Sequence, residues 1–162
     1  MDRLQTKNMK IELINNQDKV GLDLGLIEKV STYVSNKFDL SPDNVINIIL
    51  SDSSEIRKLN EAYRNISRTT DVLSFSYLSD RGSLCGKDPL FTIGEIYICP
   101  EVAKENAKNQ DQDWSLDLEM ILLVIHGILH IYDYDHEEEG DRIEMENLQE
   151  CIIVDIRNNF GL

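Results

Sequence analysis

All three histidines of this 162-residue chain lie within eleven residues, at His126, His130 and His136. On an α-helix, His126 and His130 are one turn apart, about 6 Å along the axis, and project from the same face. His136 follows Asp133, and aspartate tolerates the left-handed and turn conformations that would bend the chain back. Three neutral imidazoles with one open coordination position are typical of a catalytic zinc site, in which bound water ionises at about pH 7. We therefore expect one zinc ion held by these histidines, with water as fourth ligand.

The residue after the first histidine restricts the chemistry. Zinc peptidases of the His-Glu-x-x-His type use that glutamate as general base, and Gly127 stands there in this chain. A proton acceptor would have to be another carboxylate, for which Asp135, Glu95 and Asp71 are candidates, or the metal-bound hydroxide would act unaided. The residues do not rank these alternatives.

An arginine near the metal would favour a phosphodiester substrate. The planar guanidinium matches phosphate oxygens and stabilises the charge that gathers on them in the transition state. Arg64 is the candidate, because it stands in a polar segment between a predicted helix and a predicted strand. His126 is the second residue that we expect to be needed for catalysis.

The net charge of −14 is unevenly distributed along the chain. Residues 1–100 carry −2, whereas residues 101–162 carry −12. This balance argues against nonspecific nucleic-acid binding, since lysine and arginine make the phosphate contacts. Any RNA would have to meet a local basic patch. One such patch lies within twelve residues and consists of Arg57, Lys58, Arg64 and Arg68.

Composition predicts a globular protein that does not span a membrane. Hydrophobic residues make up 41% of the chain and charged residues 28%. The longest apolar run, residues 120–125, is far shorter than the about 20 residues that a bilayer requires. The first eight residues are polar and do not resemble a signal peptide, so we expect a cytoplasmic protein. The three cysteines match no metal-binding spacing, and we expect them to be reduced thiols.

Hydrophobic periodicity predicts four strands and five helices within one domain over residues 1–162. The predicted strands cover residues 9–15, 45–50, 72–75 and 92–99. The predicted helices cover residues 22–38, a segment capped within Ser51-Asp52-Ser53, residues 100–109, a helix from Ser115 through the first two histidines, and a last helix ending near 158. We expect residues 1–8 and 159–162 to be poorly ordered and residues 77–91 to form a mobile loop.

The last two helices have different hydrophobic patterns. The helix from Ser115 is apolar around nearly its whole circumference, which predicts that it is buried and gives the metal a rigid support. The last helix has an apolar stripe that predicts core packing, made of Ile143, Met145, Leu148, Cys151, Ile152, Val154 and Ile156.

Three blocks of sequence resemble one known family. Residues 126–136, HGILHIYDYDH, resemble the His-Gly-x-Leu-His-Leu-x-Gly-Tyr-Asp-His signature of the YbeY family of metal-dependent endoribonucleases. Residues 59–75 contain Leu-Asn, Tyr-Arg and Thr-Asp-Val-Leu-Ser-Phe blocks similar to those of the same family, and Gly94-Glu95-Ile96 resembles its Gly-Asp-Ile. The order of elements agrees over roughly residues 9–157.

The resemblance implies an α+β fold with a four-stranded mixed sheet, about five helices and a zincin-like metal helix. It also implies cleavage of single-stranded RNA, in maturation of the 3′ end of small-subunit ribosomal RNA and in ribosome quality control, with the small subunit and its assembly proteins as partners. The family's metal ligands match His126, His130 and His136, and its functional arginine matches Arg64. Asp133 departs from the pattern, because the family has glycine there.

Two other functions fit the residues. One is a metallohydrolase acting on a non-nucleic substrate, which the acidic composition favours. The other is a ribosome-assembly factor without enzymatic activity, whose metal is structural. The missing glutamate at position 127 counts against a peptidase, whereas the arginines between 57 and 68 favour phosphate binding.

Overall fold

The four predicted strands form a single mixed sheet. A computed structural model describes residues 10–39, 41–78 and 91–162. The elements in chain order are β1 (Lys10–Asn15), α1 (Leu24–Ser35), β2 (Asn44–Leu50), α2 (Ser53–Arg64), β3 (Val72–Ser76), β4 (Phe91–Ile98), α3 (Pro100–Lys108), α4 (Leu116–Ile131) and α5 (Glu139–Phe160). The strand order is β1-β2-β4-β3, with β1, β2 and β4 parallel and β3 antiparallel to β4. The predicted α+β fold with four strands and five helices is thereby confirmed.

Helix α4 is the centre of the packing. It lies against β3 and β4 and also contacts α1, α3 and α5. Eleven of its residues are buried, as expected for a helix that is apolar on all sides. The sheet presents alternate residues to this layer, including Ile46 and Ile48 of β2 and Ile96 and Ile98 of β4, all fully buried.

Helix α2 covers part of the opposite face of the sheet. Its Ile56 is buried against Leu73 of β3 and against Cys99, which follows β4. Most of the other residues of α2 are exposed, and only Ile56 and Asn60 are buried. The basic patch therefore lies on a helix with a wide solvent-facing side.

Polar side chains cap the helices as the sequence predicts. Asp52 accepts a hydrogen bond from the backbone N–H of Glu55 at 2.9 Å, so it is the capping residue among the three candidates before α2. Ser115 caps α4 in the same way, through the N–H of Leu118 at 3.1 Å. Pro100 begins α3, where its missing N–H costs nothing.

The predicted core stripe of α5 is partly wrong. Met145, Ile152 and Ile156 are buried, but Ile143 and Val154 are 48% and 53% exposed. Cys151 is also exposed. The reason is that α5 packs on the remainder of the molecule along α4, so a narrower stripe than the sequence pattern suggests is covered.

The segments expected to be poorly ordered or mobile are only partly described. Residues 1–8 and most of the predicted loop, 79–90, lie outside the described residues. The ends of that loop are regular, since the Tyr77 N–H donates to Ile93 O at 2.8 Å and Phe91 begins β4. At the C-terminus α5 continues to Phe160, which packs edge-on against Tyr33. Among the described helices, none is both long and apolar enough to cross a bilayer.

Candidate metal centre and active site

The first two histidines converge from one face of α4. The Nε2 atoms of His126 and His130 are 3.0 Å apart, and the two ring centroids are separated by 4.5 Å. One helical turn between the residues produces this approach, as their spacing predicts. Both imidazoles are half-buried, because α4 is fixed between the sheet and the other helices.

A left-handed residue at the end of α4 brings the third histidine to the other two. Asp133 has φ of 65°, which confirms the expected bend at this position. The Tyr134 N–H donates to Leu129 O at 3.0 Å and the Asp133 N–H donates to His130 O at 3.1 Å. This is a Schellman turn, which reverses the chain directly after the helix. The ring centroids of His136 and His130 are then 5.1 Å apart.

Gln149 of α5 orients the first histidine, and sequence reasoning missed it. The Nδ1–H of His126 donates to Gln149 Oε1 at 2.7 Å. This hydrogen bond leaves the Nε2 lone pair free to bind a metal. Only the position of Gln149 one residue after the stripe residue Leu148 could have pointed to it.

Burial keeps two of the imidazoles neutral. It is the largest cause that lowers the pKa of His130 to about 4, and the nearby His126 and His136 lower it further. Burial also lowers the pKa of His126, against the opposing effect of the hydrogen bond with Gln149. At neutral pH both rings are therefore available as uncharged ligands, without a proton to displace.

The glycine after His126 has a packing reason. A Cβ atom at Gly127 would lie 2.7 Å from Ile96 Cγ2 of β4, so α4 approaches the sheet too closely for a larger residue. A Cβ atom added at Gly94 of β4 would similarly lie 2.5 Å from Ile131 Cδ1. Position 127 therefore faces the sheet, and a side chain there would require Ile96 to shift.

A cleft of ≈ 580 Å³ opens beside the histidines. Arg64, from the end of α2, and Asp71, from the start of β3, line it together with all three histidines and Asp135. The structure thus brings together six of the seven site residues expected from the sequence. The cleft also contains residues that sequence reasoning did not select: Thr70, Val72, Ser74, Ser76 and Glu137.

The two aspartates in the cleft have different hydrogen bonds. Asp71 Oδ1 accepts from the Val72 N–H at 2.8 Å, and its Oδ2 accepts from Asn106 Nδ2 at 3.1 Å. Asp135 Oδ1 accepts from the His136 N–H at 2.6 Å, whereas no described residue donates to its Oδ2. Asp71 therefore connects the cleft to α3, and Asp135 has one oxygen free to accept a proton.

Glu95, the third candidate carboxylate, does not line the cleft. Side chains alternate along β4, and Gly94 and Ile96 face α4, so Glu95 points to the opposite face. There it accepts hydrogen bonds from the hydroxyls of Tyr77 at 3.1 Å and Tyr97 at 3.4 Å. Burial, followed by the charge of Glu95, raises the pKa of Tyr77 to about 12. Glu95 is thus badly placed to accept a proton at the metal.

The donor set fits a single metal ion. One nitrogen from each of His126, His130 and His136 lies within 4.8 Å of the other two. A set of three imidazoles suits zinc and neighbouring transition metals, whereas calcium and magnesium prefer oxygen ligands. The neutral rings and the hydrogen bond from His126 to Gln149 support this fit.

Comparisons with known proteins agree with the geometry. The family model described as endoribonuclease YbeY matches residues 10–157. A protein named endoribonuclease YbeY from Renibacterium salmoninarum is 37% identical over 142 residues, covering 87% of this chain and 88% of that protein. One of the same name from Streptomyces griseus is 31% identical over 153 residues, covering 92% of each.

A solved structure shares the fold. The solution structure of a protein from Thermotoga maritima superposes with a TM-score of 0.59 and 29% sequence identity, covering 93% of this chain and 91% of that one. The match over residues 10–157 extends from β1 into α5 and includes the histidine helix, the left-handed turn and the Arg64 segment. The chain therefore belongs to the endoribonuclease YbeY family.

Proposed function

We propose that this protein is a zinc-dependent endoribonuclease that cleaves single-stranded RNA and matures the 3′ end of small-subunit ribosomal RNA. Membership of the family supports the endoribonuclease class and a role in ribosomal RNA processing. The proposal also contains finer parts. The metal is zinc, the cleavage matures the 3′ end, and the protein also serves ribosome quality control. Its partners are the small subunit and its assembly proteins, and it acts in the cytoplasm.

The observation that carries the proposal is the shared cleft of Arg64 and the three histidines. The guanidinium comes from α2 and the imidazoles come from α4 and the turn after it. Both groups thus face one space from two directions. That space accommodates a phosphodiester between a cation and a metal ion, which is the arrangement needed to stabilise charge on phosphate oxygens.

Each residue has a distinct role in this proposal. His126, His130 and His136 would hold the metal, and Gln149 fixes the ring of His126. When bound, zinc would supply a Lewis acid and lower the pKa of a water ligand. Arg64 binds the non-bridging phosphate oxygens and orients the scissile bond.

Asp135 is the preferred proton acceptor. Its Oδ2 atom has no described donor, whereas both oxygens of Asp71 accept hydrogen bonds. An oxygen with a free lone pair inside the cleft can take a proton from the attacking oxygen of the reaction. Asp71 would hold the cleft edge in place instead.

Zinc content and RNA cleavage, measured on the same protein samples, test this proposal. We expect stoichiometric zinc in the wild type and cleavage of a single-stranded oligoribonucleotide but not of its duplex. His126→Ala should lose both zinc and cleavage. Arg64→Ala should keep zinc and lose roughly 10²- to 10³-fold in kcat/KM, as removal of a charge-stabilising donor does. Lys29→Ala, an exposed change on α1 far from the cleft, is the matched control.

Two results would contradict the proposal. Wild-type protein that binds zinc but leaves every single-stranded RNA intact would favour an assembly factor with a structural metal. His126→Ala protein with normal zinc content would exclude the three-histidine site. Incubation with small subunits that carry unprocessed RNA, followed by mapping of the 3′ ends, tests the cleavage position.

A further inference from the structure

A second basic pocket lies between the start of α2 and the loop that leads from α2 to β3. Its volume is ≈ 430 Å³, and it is lined by Ser53, Ser54, Arg57, Ser67, Arg68 and Thr69. All six side chains can donate hydrogen bonds, and two of them are guanidinium groups. This combination of hydroxyls and arginines matches the oxygens of a phosphate group.

The loop that forms the pocket is held by buried and main-chain contacts. Asn60, which is 3% exposed, donates from Nδ2 to Arg68 O at 2.9 Å. Thr69 Oγ1 donates to Ser53 O at 3.2 Å, which fastens the loop to the start of α2. Arg57 Nη2 donates to Ser67 Oγ at 3.3 Å across the pocket. The two arginines are therefore presented by a fixed frame.

The arginines, and not the N-terminus of α2, give the pocket its preference for anions. The helix N-terminus is already occupied, because Asp52 accepts from the Glu55 N–H and Glu101 accepts from the Ser53 N–H. Within the described ranges, neither Arg57 nor Arg68 makes an ion pair. Glu61 approaches the pocket from α2, and it accepts from Ser67 Oγ at 3.4 Å.

In the described part of the chain, the two arginines of the pocket lack carboxylate partners although the protein is acidic. The chain carries 30 acidic and 16 basic residues, so carboxylates to pair with are abundant. Two guanidinium groups that remain without them on one pocket are available for an anion from outside the chain.

The pocket and the catalytic cleft are neighbours along this loop. Thr69 lines the pocket and the next residue, Thr70, lines the cleft. Consecutive Cα atoms are about 3.8 Å apart, so a strand that passes over this loop can contact both spaces within a few nucleotides. Arg64 belongs to the cleft and Arg68 to the pocket, on the same connection between α2 and β3.

We propose that the pocket at Arg57 and Arg68 binds a backbone phosphate of the RNA strand, a few nucleotides from the phosphodiester held at Arg64. The inference rests on the proposed endoribonuclease function and adds the path of the substrate to it. The strand runs from the histidines past Arg64 and over the Ser67–Asp71 connection. An acidic protein can thereby hold RNA through a narrow basic track on α2 while the rest of its surface repels it.

Salt dependence of RNA binding tests this path. Wild type, Arg57→Ala, Arg68→Ala and the double variant are compared, with Lys29→Ala as matched control, because Lys29 is an exposed cation of α1 that lines neither the pocket nor the cleft. Binding is measured with zinc-loaded protein and two single-stranded oligoribonucleotides. The long RNA can reach both the cleft and the pocket, whereas the short RNA can occupy only the cleft.

We expect each single variant to weaken binding of the long RNA roughly tenfold, as loss of a charged hydrogen bond does. The slope of log K against log salt should fall by about 0.7, because one phosphate of the strand is no longer neutralised by the protein. Binding and cleavage of the short RNA should not change, and Lys29→Ala should behave as wild type. Arg68→Gln, which keeps a donor but no charge, should show the same decrease in salt slope.

Several outcomes overturn the inference. Variants whose long-RNA affinity and salt slope equal those of wild type show that the pocket holds no backbone phosphate. The same conclusion follows if inorganic phosphate binds in the pocket but leaves the affinity for the long RNA unchanged. If the variants weaken binding of the short RNA as strongly as binding of the long RNA, the arginines affect the cleft and not a separate phosphate site. If wild-type protein neither binds nor cleaves RNA, the proposed function itself fails, and the path fails with it.

Discussion

At the scale of single residues, the site depends on a partner that supports one ligand. Gln149 accepts the Nδ1–H of His126 at 2.7 Å and thereby selects the ring nitrogen that faces the other histidines. Such partners of metal-binding histidines raise affinity because they fix the tautomer and the ring orientation.

Replacing Gln149 should weaken metal binding without unfolding the protein. Gln149→Leu keeps the approximate volume of the side chain but removes the acceptor, so we expect a 10- to 100-fold loss of zinc affinity, on the order seen for such partners elsewhere. Competition with a chelator of known affinity measures it. Gln149→Glu, which keeps an acceptor, should bind zinc at least as tightly as wild type. Exposed Gln110→Leu is the control, and equal affinity for Gln149→Leu and wild type would refute the role.

Sequence alone predicted the histidine cluster but not its hydrogen-bond partner, for a physical reason. The spacing of His126 and His130 follows from helical geometry, so it is readable without a structure. Gln149 reaches His126 from a helix 23 residues further on, and that contact depends on how α5 packs on α4. The same reason explains Glu95, whose strand position was predicted but whose face was decided by the packing of Gly94 and Ile96 on α4.

At the scale of elements, the turn after α4 determines whether His136 lies next to the other two histidines. Asp133 adopts the left-handed conformation there, at φ 65°, although its side chain is exposed and no described residue hydrogen-bonds to it. An L-residue in this region costs about 1–2 kcal/mol, whereas glycine adopts it freely. The turn is thus formed at a stability cost that the packing of α4 offsets.

Asp133→Gly should therefore stabilise the protein. We expect the free energy of unfolding to rise by about 0.5–1 kcal/mol, after the larger unfolded-state entropy of glycine is deducted. Chemical denaturation measures it. Asp141→Gly, at an exposed aspartate in the first turn of α5, should have the opposite sign, because glycine disfavours the helix and the change removes an acidic group that the helix N-terminus favours. A lower stability for Asp133→Gly would mean that the aspartate has an interaction beyond its backbone conformation.

At the scale of the whole molecule, the charge distribution should control how fast RNA arrives. The net charge is −14, and −12 of it lies in residues 101–162. The arginines that line the cleft and the second pocket all come from α2 and the loop after it. Long-range repulsion and short-range attraction therefore act on the same strand, and screening by salt reduces both.

Removing remote acids should speed association at low salt. The pair Asp113→Asn and Glu150→Gln changes two exposed carboxylates that line neither basic space. We expect the association rate constant for single-stranded RNA to rise on the order of twofold at low ionic strength and to equal that of wild type at high ionic strength. Stopped-flow mixing measures it, and the dissociation rate should not change. A rate increase that persists in high salt would point to a direct contact instead.

The order of elements was readable from the sequence because hydrophobic periodicity differs between strands and helices. The covered width of α5 was not, since Ile143 and Val154 belong to the same apolar pattern as Met145 yet are exposed. Periodicity gives the direction of an apolar face, and only the neighbouring elements determine how much of that face they cover.

The three histidines differ in how firmly they are attached to the fold. His126 and His130 belong to the buried helix, whereas the side chain of His136 is 54% exposed and lies on the short connection to α5. Opening of that connection would release one ligand while the other two keep their places. A metal held by the three histidines would therefore be released first from His136, and the rate at which a chelator removes it would report the opening of this connection.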